Sequence, residues 1–388
     1  MEDAATPNWI TAWNDGLTLA YCEWCQGNFI LPAAQLSLAC PYCGQFDLQP
    51  LDPTANTPVY THPPELLLPP TVPETRRQEQ VSRFARQVWF PPTDLTAERL
   101  LARLRPIYLP MWLVDVQVEG LWQAEIGTNY QVVSHKEQFG GNQWRTQQVQ
   151  ETRIRWEPRL GMLSRPYQNQ PAPALEEFAR LEQVLGRYRL EAVRPFQSSD
   201  IAQVIVHLPN RSPQDAWPEA ETGLKQSAMA ECQQATAADH IREFRWSPQF
   251  SQHNWTQLLL PLYTTFYQDD EGRARIVYMQ GQTGNLVGER RASARKGWQW
   301  TQRLGLVALA LFGVGLVLTL VGYAGVTIGV GFTSMAVLLL MLGAVMGGTA
   351  VLPVIIVWYL NTYSYPAHSA TKQLFSHPTR SEPDTQTK

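Results

Sequence analysis

Two long stretches in the last quarter of the chain lack any polar face. Residues 304–323 are apolar or glycine at every position except Thr319, and a second apolar run covers 335–360. At 1.5 Å per residue, about 20 residues cross a hydrocarbon core of roughly 30 Å. Soluble core helices of this length keep a polar side. The pattern therefore predicts two membrane spans. The segment between them, 324–334, is short and uncharged. A tight turn there makes the spans an antiparallel hairpin, and Pro353 should kink the second.

Upstream, the periodicity changes to that of an α+β body. Helical spacing places Ala97, Leu100, Leu101 and Leu104 on one face of 94–105, with Thr93 as N-cap and Pro106 as stop. The same spacing marks 174–189 and, after Pro218, 219–238. Cys232 falls on the apolar stripe of the third helix, which predicts a core thiol rather than a nucleophile. Alternation marks strands at 107–119, turning at Gly120, and at 201–208, 241–246, 258–267, 275–279 and 286–287. Leu109-Pro110-Met111-Trp112 and Leu260-Pro261-Leu262-Tyr263 echo each other, which raises two related halves against chance similarity.

Charge sets the orientation. Residues 304–371 contain no Asp, Glu, Lys or Arg. Arg290, Arg291, Arg295, Lys296 and Arg303 crowd the approach to the first span, opposed nearby by Glu289 alone. Basic residues at span ends stay in the cytoplasm. The expected location is the cell membrane, multi-pass, with both termini cytoplasmic. The bilayer is the first partner, and the basic cluster suits anionic headgroups. The start, MEDAATPNWI, has neither a basic nor an apolar region of the secretory kind. Gly343 and Gly347, with Gly315 and Thr319, permit close helix approach, either within the hairpin or between copies in a homo-oligomer. Neither span carries an Asp, Glu, Lys, Arg or His for a transport path.

The chemistry lies in Cys22-x-x-Cys25 and Cys40-x-x-Cys43. Two such knuckles present four thiolates, which suit one structural, tetrahedral zinc ion. A single iron in an electron carrier is the rival metal. Gly44 directly follows the second knuckle, whereas Gly27 stands one place later after the first. Ribbons of this kind often bind nucleic acid, but no Lys or Arg precedes Arg76, and eight acidic residues do. Such a surface repels phosphate, which points to a structural or protein-binding module. Eight prolines between Pro50 and Pro73 predict an extended spacer. None of the seven histidines forms a metal pair, and no phosphate-binding Gly-x-x-x-x-Gly-Lys loop occurs. Gly281-Gln282-Thr283-Gly284 reads as a hairpin turn. Trp89, Trp112, Trp122, Trp144 and Trp156 lie in strand-like context and predict core packing, while Trp298 and Trp300 predict an interfacial belt.

The four cysteines, the two Leu-Pro motifs and Gly281-Gln282-Thr283-Gly284 with Gly288-Glu289 give the chain a resemblance. It resembles a family of largely uncharacterised bacterial and archaeal membrane proteins. These combine an N-terminal zinc ribbon, a middle α+β region and C-terminal transmembrane helices. The resemblance implies architecture and no established activity. The expected plan is a zinc ribbon (1–50), a Pro-rich linker (51–78), an α+β cytosolic domain (79–303), a transmembrane helical hairpin (304–362) and a polar tail (363–388). With no catalytic constellation, the expected role is a scaffold or adaptor for protein partners. A membrane-tethered nucleic-acid regulator is the alternative.

Overall fold

The computed structural model describes residues 9–35, 39–44, 46–52, 60–323 and 330–364. Pro53, Pro58, most of the 324–334 turn and nearly all of the polar tail lie outside these residues. In chain order come β1 (Leu17–Tyr21), β2 (Asn28–Pro32), β3 (Gln49–Leu51), β4 (Leu66–Leu67), α1 (Glu74–Arg86) and α2 (Ala97–Ala102). Then follow β5 (Arg105–Gly140), β6 (Gln143–Pro173), α3 (Phe178–Leu185), β7 (Arg194–Pro195), β8 (Ile205–His207), α4 (Pro213–Ala235), β9 (His240–Gln268), β10 (Ala274–Gln280) and β11 (Leu286–Gly288). Three helices complete the order: α5 (Ala294–Tyr323), α6 (Val330–Thr349) and α7 (Leu352–Tyr359).

The described strands form one mixed sheet built on β5 and β9, which pair antiparallel from Arg105↔Thr264 to Gly127↔His240. The free edge of β5 is taken first by parallel β8, at Ile107 and Tyr108, and then by antiparallel β6 from Met111 onward. The free edge of β9 is shared in the same way, by parallel β4 at Leu258 and Leu259 and by antiparallel β10 from Leu262 onward. Pro110 and Pro261 occupy the two handovers. Pro261 turns its carbonyl outward to accept from Gly281 N at 3.0 Å, so its missing N–H also faces the gap. Alternation puts Pro110 in the equivalent position. A proline inside a sheet is tolerated where no ladder partner is lost. The two echoed motifs thus lie opposite each other, Leu109 against Leu260.

Several elements depart from the periodic pattern. The strand expected to stop at Gly120 runs on to Gly140. Gly120 is a point of close approach rather than a turn, since a Cβ there would lie 2.5 Å from Ser247 O. The strands at 241–246 and 258–267 are parts of β9, while 201–208 contracts to β8. Thr96, not Thr93, caps α2 by accepting from Arg99 N. Gly186, at φ 86°, ends α3 early. A capping box of Ser212 and Asp215 starts α4 before Pro218, which lies inside the helix. The 51–78 spacer is corrected most. Leu67 and Leu68 are fully buried, β4 joins the sheet, and the N–H groups of Thr71 and Val72 donate to Gly281 O. The prolines guide a strap along the body instead of holding two modules apart. The ribbon does not stand free either, because β2 pairs with β8 and carries β1 and β3 into the same sheet.

Two helical regions are long and apolar enough to cross a membrane, and only 11% and 22% of their most apolar windows are buried. No soluble core covers them. Helices α5 and α6 pack with opposite chain directions. A Cβ on Gly315 would lie 2.9 Å from Leu340 N, one on Gly343 2.7 Å from Phe312 N, and one on Gly297 2.9 Å from Val357. Gly297, Gly315 and Gly343 therefore serve packing within this chain, while Gly305, Gly313 and Gly348 meet no neighbour within 4 Å. The second region breaks between α6 and α7, just before Pro353. Asn361 clasps Ala292, donating to its O at 3.0 Å and accepting from its N at 2.8 Å. Asp270 accepts from Ser293 Oγ and Arg295 N at the start of α5.

Gly120→Val should force β5 and β9 apart and lower unfolding stability by about 1–3 kcal/mol, measured by urea titration of tryptophan fluorescence.

Candidate metal centre

The turn after β1 carries Cys22 and Cys25, and the turn before β3 carries Cys40 and Cys43. Backbone bonds close each turn: Cys22 N donates to Gly27 O, Cys40 N to Phe46 O and Gly44 N to Cys40 O. The residue after the second cysteine is left-handed in both, Gln26 at φ 53° and Gly44 at φ 64°. The looser look of the first knuckle is thus a matter of residue type, not of backbone path. Gly27 has a separate task, since a Cβ there would lie 2.7 Å from His207 Nε2.

All four Sγ atoms lie within 4.8 Å of one another. Cys22 and Cys43 are 3.5 Å apart, and Cys25 and Cys40 are 3.8 Å apart. Tetrahedral zinc with Zn–S bonds of about 2.3 Å requires S···S separations of about 3.8 Å. The donor set fits one metal ion of that size, held by these four residues. Cys22, Cys40 and Cys43 are buried and Cys25 is half-buried. Hydrogen bonds from the other three thiols favour a thiolate at Cys22. The Cys22 thiolate in turn pushes Cys25 up, and burial does the same to Cys40. One negative charge is thus easily held in the cluster, and four require a cation.

The surroundings are apolar and aromatic. The cysteines share a core with Leu109, Leu113, Leu258, Leu260 and Tyr278 of the central strands. His207 packs edge-on against Phe29 and Tyr42. Burial lowers its pKa to about 4, so the ring is neutral and Nδ1–H donates to Leu208 O at 2.7 Å. His207 is a wall of the site and not a ligand. Tyr278 donates its hydroxyl to Tyr42 O inside the second knuckle. Among the described residues no other group of three or more Cys, His, Asp or Glu side chains converges.

The remaining sequence readings divide. Cys232 lies buried in the core between α4 and the long strands, its thiol pushed up by burial. Gly281–Gly284 is a turn between β10 and β11. Gln280 beside it donates to Gly186 O and Arg187 O, and Gln282 exchanges two bonds with the Arg189 backbone. The turn is therefore a clasp on the end of α3. Trp112 is buried, but Trp89 and Trp144 are exposed, against the core packing expected of both. Sequence reading also missed a pair on the knuckles. Trp24 and Phe46 stack at 5.7 Å while 42% and 48% exposed. Its one signal was a tryptophan between two metal-ligand cysteines.

Comparison with protein-family models, with curated proteins and with solved structures finds no match. The geometry alone carries the functional argument.

Cys40→Ser should abolish stoichiometric metal binding, read by elemental analysis. Because the cysteines sit in the common core, it should also lower global stability by at least about 3 kcal/mol. Gln26→Gly should leave the metal in place and raise stability by about 0.5–1 kcal/mol, since glycine takes a left-handed φ without a Cβ clash.

Proposed function

We propose that the chain is a membrane-anchored zinc-ribbon protein acting as a scaffold or adaptor for other proteins at the cytosolic face. The observation that carries this reading is the exposed Trp24–Phe46 stack on the cysteine knuckles, flanked by exposed Glu23 and Asp47. Neither carboxylate makes an ion pair among the described residues. Exposed aromatic pairs in a rigid setting are favoured anchors for protein partners. Four thiolates at tetrahedral spacing favour zinc over harder metals, and zinc adds no redox chemistry. The bound ion would be held by Cys22, Cys25, Cys40 and Cys43, offset part of their thiolate charge and hold the stack in place. Iron, the rival metal, would make the site an electron carrier.

The anchor reading rests on the two exposed apolar helical regions and their opposite directions. The Ala292–Asn361 clasp holds the ends of the pair level, which supports a hairpin with both flanks on one side. The basic residues of that flank support the cytosol as that side. Against the nucleic-acid alternative, the knuckle segments themselves carry carboxylates and no Lys or Arg, and of the two arginines that share a pocket with Cys40 and Pro41, Arg103 is paired with Asp94.

The test is capture from native membranes. Wild-type chain should crosslink specific proteins that Trp24→Ala/Phe46→Ala loses at least tenfold, with metal content unchanged. Equal capture by both would end the adaptor reading. A C-terminal tag reached by protease outside intact cells would end the proposed topology.

A further inference from the structure

Helices α5 and α7 differ in how far their apolar surface extends toward the body. On α5 the unbroken apolar run starts at Leu304, after Arg295, Lys296 and Arg303. Along α7, apolar and aromatic residues continue to Leu360. The two helices are level at Gly297, where a Cβ would lie 2.9 Å from Val357, and at the Ala292–Asn361 clasp. Trp358 therefore stands beside the first turn of α5, and Ile355 is less than one turn deeper. Both are exposed, at 59% and 50%. A bilayer that covers Ile355 brings its headgroups up to Arg295 and Lys296, against the body. The Arg303 side chain points the same way. Its guanidinium lies over the ring of Trp300, one turn nearer the body, as a long cation does when it reaches from apolar depth to the headgroup layer.

The part of the body at that level comes from α1, far away in sequence. Phe90 O accepts from Ser293 N at 2.7 Å, so the loop after α1 is fastened to the residue that precedes α5. Arg290 reaches the last turn of α1, where its Nη2 donates to Gln87 Oε1 at 2.7 Å and its guanidinium lies over the Phe84 ring. Beside Phe90, Trp89 is 66% exposed. Glu79, Ser82, Arg83, Arg86 and Gln87 line a shallow groove of about 470 Å³ along the same turn. The carboxylates at this end of the body are already taken. Arg275 bridges Asp269 and Glu289, Arg273 pairs with Glu271, Arg83 pairs with Glu79, and Asp270 caps α5. Arg86, Arg290, Lys296 and Arg303 have no carboxylate partner among the described residues.

We infer that the last turn of α1 and the Trp89 loop form a second membrane contact, with Trp89 in the interfacial layer and Arg86 and Arg290 on the phosphates of anionic lipids around α5. This rests on the anchor reading and deepens it, because it gives the bilayer a docking site on the folded body in addition to the spans. Two observations select lipid as the occupant. The surface is continuous with the exposed apolar face of α7 through the Phe90–Ser293 bond and the Ala292–Asn361 clasp. Its unpaired charges are all cations, set beside exposed tryptophans, and that mixture suits the interface of an anionic bilayer. The contact also accounts for the exposure of Trp89, which packing within the body leaves unexplained.

The test is photocrosslinking of the full chain in nanodiscs of phosphatidylcholine and phosphatidylglycerol. Photoreactive p-benzoylphenylalanine replaces Trp89, Trp298 or Trp24 in separate chains, and lipid adducts are read by mass spectrometry. Adducts are expected at positions 89 and 298 and not at position 24. Adducts at 298 without any at 89 overturn the inference and leave the anchor standing. Adducts at neither position overturn both. The headgroup assignment is tested in mixed micelles of neutral detergent with the same two lipids. Wild type should retain phosphatidylglycerol in preference to phosphatidylcholine. Arg86→Gln should cut that preference about fivefold, and Arg86→Lys should keep it. Arg86 is exposed, so circular dichroism and metal content should not change. A preference unaltered by Arg86→Gln overturns the assignment.

Discussion

The antiparallel ladder between β5 and β9 is the constraint on which the rest depends. Each of these strands has one further edge, and each divides that edge between a parallel and an antiparallel neighbour. A change of neighbour leaves a gap in the ladder, and a proline fills each gap without losing a bond. Pro110 and Pro261 therefore mark where the sheet branches. Everything else attaches by these branches: the ribbon through β8, the proline strap through β4, the long β5–β6 hairpin through β6, and the run to the apolar helices through β10 and β11.

The metal centre is coupled to this ladder by burial. Cys22, Cys40 and Cys43 share a core with Leu109 and Leu260, which face each other across the central pair. Tyr278 of β10 reaches into the second knuckle, and His207 of β8 closes the site from the other side. A metal that satisfies the thiolates would stabilise the whole sheet, because losing it would leave several buried thiols in a low-dielectric core. The outward surface of the knuckles is left to Trp24 and Phe46.

The apolar helices are tied to the sheet by polar contacts. Asp270, in the turn between β9 and β10, accepts from Ser293 and Arg295 at the start of α5. Ser293 N donates to Phe90 O at 2.7 Å, and Arg290 lies over the Phe84 ring of α1. Arg275 bridges Asp269 and Glu289 close by. These contacts hold the body at the base of α5, at the opposite end of β5 from its turn into β6 at Gly140–Gln143.

Chemistry that is local in sequence was legible directly. The cysteine spacing identified all four candidate ligands, because a C-x-x-C turn brings its two thiols together whatever surrounds it. The apolar runs identified the long exposed helices, because a helix without a polar face cannot be solvated on any side. Strand lengths were not legible. Gly120 looks like a turn until β9 is placed beside it, and the β5–β6 hairpin beyond Gly127 is too polar to alternate clearly. The spacer reading failed because proline fixes the local backbone without saying what the segment packs against. Trp144 and Trp89 read as core residues, since a tryptophan's burial depends on what lies opposite. The sequence by itself determined the ligand set and the apolar helices, both products of short-range spacing. Only the tertiary structure decided that the ribbon belongs to the sheet and that side chains such as Trp144 and Leu160 of β6 are left exposed. The first follows from pairings such as Phe29 with His207, more than a hundred positions apart, for which local periodicity holds no signal.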